Sequence, residues 1–159
     1  MVRTLITAAA VLVVASLPVA CAAGGATGML RWEVGDGTGP EVLFQTIQVL
    51  QLYQYEIERQ AESPNLTVQT HWRDRMPFDD EVEAGAQAVR TRILMLARER
   101  HQRAGGASVY TVRLTLENQA QTDISSDWQP FEPTPEFRDY AADIAERLRT
   151  ELRTGVRIH

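Results

Sequence analysis

The chain has 159 residues, with 21 acidic against 16 basic side chains and a net charge of −5. That balance argues against nucleic acid and an anionic membrane surface as the main partner, because both select for a positive face. The length suits one domain whose core holds without disulfides, and Cys21 is the single cysteine.

The first predicted element is an address to be removed. Arg3 supplies a positive start and Leu5 to Val19 an apolar run. The small residues Ala20, Cys21, Ala22 and Ala23 follow, the order of a secretory signal over residues 1–20. The apolar run is about fifteen residues, short of the ~20 that span a bilayer. Leu17-Pro18-Val19-Ala20-Cys21 resembles the lipobox of bacterial lipoproteins, in which a small residue precedes a cysteine that is diacylated and becomes the new N-terminus. Pro18 stands where that pattern usually has Leu. The resemblance implies a lipid anchor at Cys21 and a protein of the bacterial cell envelope, at the outer membrane facing the periplasm. Cleavage after Ala22, with Ala20 and Ala22 as an A-x-A pattern, is the other reading and gives a soluble periplasmic or secreted chain. Acylation accounts for a lone cysteine that would otherwise be a free thiol in an oxidising compartment. All the basic residues are arginine, which reads as a GC-rich bacterial genome and marks no site.

Residues 21–28 are small and flexible, a tether to a single α+β domain over 29–159. Met29 to Val34 alternates as a short strand, and Gly35-Asp36-Gly37-Thr38-Gly39-Pro40 is expected to break it. Thr38 or Gly39 caps a helix from Glu41 to Leu52, with Pro40 in its first turn. Tyr53 to Gln60 and Leu66 to Arg73 alternate as two strands of a hairpin about Glu62-Ser63-Pro64-Asn65.

From Asp79 to Arg103 the local code conflicts. A helix is suggested by Asp80 and Glu83 in capping-box spacing and by Val82, Ala86, Val89, Ile93 and Leu96 at steps of three and four. A strand over Val89 to Arg100 places Thr91, Ile93, Met95 and Ala97 on one side, with Leu94 and Leu96 opposite. Val109 to Gln119 alternates as a strand, Tyr110, Val112, Leu114 and Leu116 inward, and needs a partner of matching length. The strand reading is therefore favoured, with a hairpin about Gly105-Gly106. Asp123 to Pro135 is a polar connection, and Thr134-Pro135-Glu136 opens a helix burying Phe137, Tyr140, Ala141, Ile144, Leu148 and Leu152, which Gly155 stops. The expected fold is a four-stranded antiparallel sheet packed against two helices.

No chemical motif outweighs its plainer reading. His71, His101 and His159 share no ligand spacing. Asp79-Asp80-Glu81 with Glu83 lacks the glycine-turned loop of a calcium site and reads as a solvated helix start. Ser125-Ser126-Asp127 reads as a polar turn. The Gly35 to Gly39 loop lacks the Gly-Lys ending of a phosphate cradle. Trp32, Trp72 and Trp128 read as core or sheet-edge packing. No catalytic, metal or cofactor residue is assigned.

The order strand, helix, hairpin, hairpin, helix, with Leu66-Thr67-Val68-Gln69-Thr70-His71-Trp72-Arg73 after the first turn, resembles small envelope lipoproteins of the BamC type with their helix-grip modules. The resemblance implies a non-enzymatic scaffold or assembly accessory with an envelope protein partner. A periplasmic small-ligand binder of helix-grip type is the alternative. A deep apolar pocket would mark the binder; an exposed patch without one would mark the scaffold.

Overall fold

The computed structural model describes residues 28–102 and 108–155. The signal segment, Cys21, the tether as far as residue 27, the Gly105-Gly106 turn and His159 lie outside the described residues. In chain order the elements are β1 (Met29–Thr38), α1 (Gly39–Leu52), β2 (Ile57–Ala61), β3 (Leu66–Thr70), β4 (Arg73–Arg75), α2 (Asp79–Glu83), β5 (Ala88–Gln102), β6 (Ser108–Gln121), β7 (Gln129–Pro130) and α3 (Pro135–Gly155).

The α+β class and the antiparallel sheet stand, but the sheet has seven strands where four were expected, and there are three helices rather than two. The order is β1-β6-β5-β3-β2, with β4 also on β5 and β7 also on β6. The extra strands come from the length of the central pair. β5 has 15 residues, which at ~3.3 Å per residue is long enough to carry two partners end to end. Arg73 to Arg75 pair with Thr91 to Val89, and Leu66 to Gln69 pair with Ala97 to Leu94. β6 likewise pairs with β1 up to Glu117 and with β7 at Gln119 and Ala120.

The conflict over Asp79 to Arg103 resolves with both codes in use. The expected Asp80–Glu83 capping box does not form; one turn of helix, α2, starts two residues earlier, where Glu81 Oε2 accepts from the Phe78 N–H at 3.0 Å. The chain then extends as β5, paired with β6 from Ala88↔Gln121 to Gln102↔Ser108. Thr91, Ile93, Met95 and Ala97 are buried together with Val112, Leu114 and Leu116.

Two boundaries differ from expectation. β1 does not break at Gly35 but continues to Thr38, paired with Val109 to Val112. Gly35, at φ 143, absorbs a bulge there. A Cβ on Gly37 would stand 2.9 Å from Val42 Cγ2, so glycine permits the first turn of α1 to close onto the strand. Tyr53 and Tyr55 are not strand residues: α1 ends at Leu52, Gln54 takes φ 62, and β2 starts only at Ile57. Their apparent alternation reflects two rings turned toward α3. Tyr55 Oη lies 3.0 Å from Tyr140 Oη, and Tyr53 donates to Asp143 Oδ2 at 2.5 Å.

All three helices engage one face of the sheet. Leu50 of α1 and Phe137, Ile144, Leu148 and Leu152 of α3 are buried in one cluster with Val34, Ile93, Met95 and Leu114. The opposite face carries Arg90, Arg92, Leu94, Leu96 and Arg98 of β5 beside Thr111, Arg113, Thr115, Glu117 and Gln119 of β6, all half-buried or exposed.

Candidate functional site

The most organised group on the open face joins three segments. Trp72 lies in the step between β3 and β4, Trp128 precedes β7, and Arg90 sits between them. Its guanidinium carbon lies 4.6 Å from the Trp72 ring centre and 4.4 Å from that of Trp128. Arg92, two residues along β5 and so on the same face, lies 4.5 Å from Trp72. Pairing register fixes both arginines from below. Arg90 stands opposite Gln119 and donates to its Oε1 at 2.9 and 2.7 Å. Arg92 stands opposite Glu117 and donates to its Oε2 at 3.1 and 2.6 Å. Desolvation lowers the Arg90 pKa from its ordinary value; the carboxylate of Asp74 opposes that shift and Arg92 adds to it. The result is a stack in which guanidiniums lie over indole rings, the side-chain types that dominate binding energy at protein interfaces. Farther along the same face a shallow depression of about 350 Å3 is lined by Glu33, Leu96, Arg98, Arg100, Thr111 and Arg113.

Beneath the sheet lies a second polar group, fully enclosed. The Glu81 side chain is 0% exposed and that of Arg75 7%. Arg75 donates to both carboxylate oxygens of Glu81, at 2.7 and 2.6 Å, and to Thr91 Oγ1 and Asn118 Oδ1, each at 3.2 Å. Asn118 Nδ2 donates to Glu81 Oε1 at 2.9 Å. The guanidinium carbon also lies 4.3 Å from the Phe78 ring centre and 5.2 Å from that of Phe137. Every strong donor and acceptor of the ion pair is engaged, as an enclosed pair requires. The arrangement ties α2 to β4, β5, β6 and α3.

The acidic run is thereby dispersed. Glu81 is buried in that network, and Asp80 Oδ2 accepts from the Glu136 N–H at 2.8 Å, at the N-terminus of α3. Asp79 and Glu83 face solvent. Among the described residues no group of three or more His, Cys, Asp or Glu side chains is placed to hold a metal ion. His71 is exposed, with its backbone N–H on Glu56 O; the backbone of His101 pairs with Val109. Ser125 and Ser126 are held by Asp123 in a turn, and bonds from Ser125 keep the Asp123 carboxyl below its usual pKa. Asp36, in the glycine stretch, accepts from Thr111 at 2.7 Å and Arg100 at 3.4 Å. Trp32 packs against the core, whereas Trp72 and Trp128 form the outer stack. Both arginine groups were missed by sequence reasoning. Arg90 and Arg92 show only as outward positions on a strand, and the partners of Arg75 come from four separate segments.

No family model matches the chain, and none of the curated proteins is significantly similar to it. Among solved structures it is similar to the uncharacterized conserved protein YugN from Geobacillus kaustophilus, at 10% identity and a TM-score of 0.38, over 79% of this chain and 87% of that one. So distant a likeness carries no argument about fold or role.

Proposed function

We propose that the chain is a non-enzymatic lipoprotein of the bacterial cell envelope, anchored by acylated Cys21 and acting as a scaffold or assembly accessory that binds an envelope protein partner. The observation that carries this reading is the open sheet face bearing the Trp72-Arg90-Trp128 stack. Two indoles packed on two arginines that Gln119 and Glu117 hold in place form an anchor for a protein surface. The helix-grip comparison belongs to the same proposal, since α1 and α3 lie together on one face and leave the other free. The alternative, a small ligand between sheet and helices, has less support. Leu50, Ile93, Met95, Leu114 and Ile144, each 0 to 1% exposed, fill that space.

Two measurements test the proposal. Mass spectrometry of the mature N-terminus is expected to find Cys21 acylated, and Cys21→Ser to release a soluble form. A mature chain that begins at Ala23 overturns the anchor. Affinity purification from the native membranes, wild type against Trp128→Ala with Arg90→Ala, is expected to lose a specific envelope protein in the variant. Identical co-purifying proteins from both would remove the stack from the binding surface.

A further inference from the structure

Among the described residues the large apolar side chains that face solvent fall in two places, Phe44 and Leu52 on α1 and a second group of four. Met29, Met76, Val82 and Ile124 are exposed, Met76 by 85% and Ile124 by 75%. Met29 opens β1, Met76 lies between β4 and α2, Val82 is on α2, and Ile124 is in the β6–β7 connection. Strand register puts all of these at one end of the sheet, because Met29 pairs with Glu117, Arg75 with Val89, and Ala88 with Gln121. The same end receives the N-terminal segment: Gly28 O accepts from the Asn118 N–H at 2.6 Å. From Cys21 to Gly28 the chain can reach at most about 25 Å.

We propose that this end of the domain docks on the surface of the bilayer that holds the anchor, with Met76, Val82 and Ile124 entering the headgroup boundary. The inference rests on acylation of Cys21. A tether this short keeps the domain at high effective concentration over the lipid, so a few apolar side chains suffice to orient it without binding membranes on their own. Lipid choice follows from charge. Asp79, Glu83, Asp123, Asp127 and Glu132 are exposed at this end, so zwitterionic headgroups are favoured and anionic ones repelled. Docked in this way, the domain holds its sheet across the membrane plane, with the hairpin end of β5 and β6 farthest from the lipid.

The test uses the full lipid-anchored protein, purified and reconstituted in phosphatidylcholine vesicles. An environment-sensitive thiol probe is placed on Ile124→Cys or, as control, on Phe44→Cys, a side chain 60% exposed on α1. Brominated lipid is expected to quench the Ile124 probe and not the Phe44 probe. Met76→Glu is expected to abolish that quenching while the protein stays on the vesicles. Phosphatidylglycerol-rich vesicles are expected to give weaker quenching, and stronger quenching there overturns the lipid preference. Equal quenching of both probes overturns the orientation. Protein that remains vesicle-bound with the Ile124 probe in water overturns docking alone. Protein released into the aqueous fraction shows that the anchor has failed, and the docking falls with it.

Discussion

Arg75 and Glu81 show how much one enclosed pair can be asked to hold. Removing either partner strands the other charge among Phe78, Phe137 and the sheet, where water cannot replace the lost bonds. Arg75→Ala or Glu81→Ala is expected to cost about 3 to 5 kcal/mol, and the double substitution well under the sum. Urea unfolding of the four species measures this; additive losses would mean that the two act separately. A second residue-scale expectation concerns the tyrosines. Burial pushes the Tyr55 hydroxyl above the ordinary range, with Tyr140 adding to the effect, and pushes Tyr53 up to about 12, with Asp143 adding to it. Unfolded tyrosines lose their protons near pH ~10 while these two keep theirs, so their contribution is whole below that pH and is lost as pH rises through the folded values. The chain has no lysine to obscure that limb. Tyr55→Phe is expected to cost ~1 kcal/mol at neutral pH, for the lost hydrogen bond, and to flatten the alkaline decline in unfolding free energy. An unchanged alkaline slope would assign the decline elsewhere.

Among the elements, α3 offers the cleanest contrast. Leu148 is 1% exposed in the main cluster, and Leu148→Ala is expected to destabilise by about 2 to 5 kcal/mol. Arg149 lies on the polar face, paired with Glu146, and donates to Glu33 O at 3.2 Å beside the β1 bulge. Arg149→Ala is expected to cost under ~1 kcal/mol. Thermal or urea unfolding separates the two, and equal losses would contradict the packing. α3 and the β5–β6 ladder were legible in the sequence because their buried positions repeat in step with the element, as Val112, Leu114 and Leu116 do. The segments read less well failed for physical reasons. Tyr53 and Tyr55 mimic a strand because a chain leaving a helix can turn alternate rings inward without pairing. Gly35 and Gly37 look like a break because glycine signals flexibility, whereas here it gives room for Val42 and a bulge. α2 and β5 shared one stretch of code because a helix start, here at Phe78 and not at Asp80, does not fix the helix's length. The outer stack and the enclosed network depend on contacts between distant segments, which no local pattern carries.

At the scale of the whole molecule, one pairing constrains the order in which the fold can be completed. Among the described strands β1 has β6 as its only partner, and the register joins Thr38 to Val109 and Met29 to Glu117. The central strand β5 shares that partner over nearly its whole length. A chain that leaves a ribosome or a secretion channel N-terminus first therefore carries its leading strand unpaired until almost the whole sheet has emerged behind it. The loop that must close between Thr38 and Val109 makes any earlier association of β1 costly in entropy. Late closure of this kind leaves the leading strand free until the sixth arrives, and makes that arrival the step expected to close this edge of the sheet.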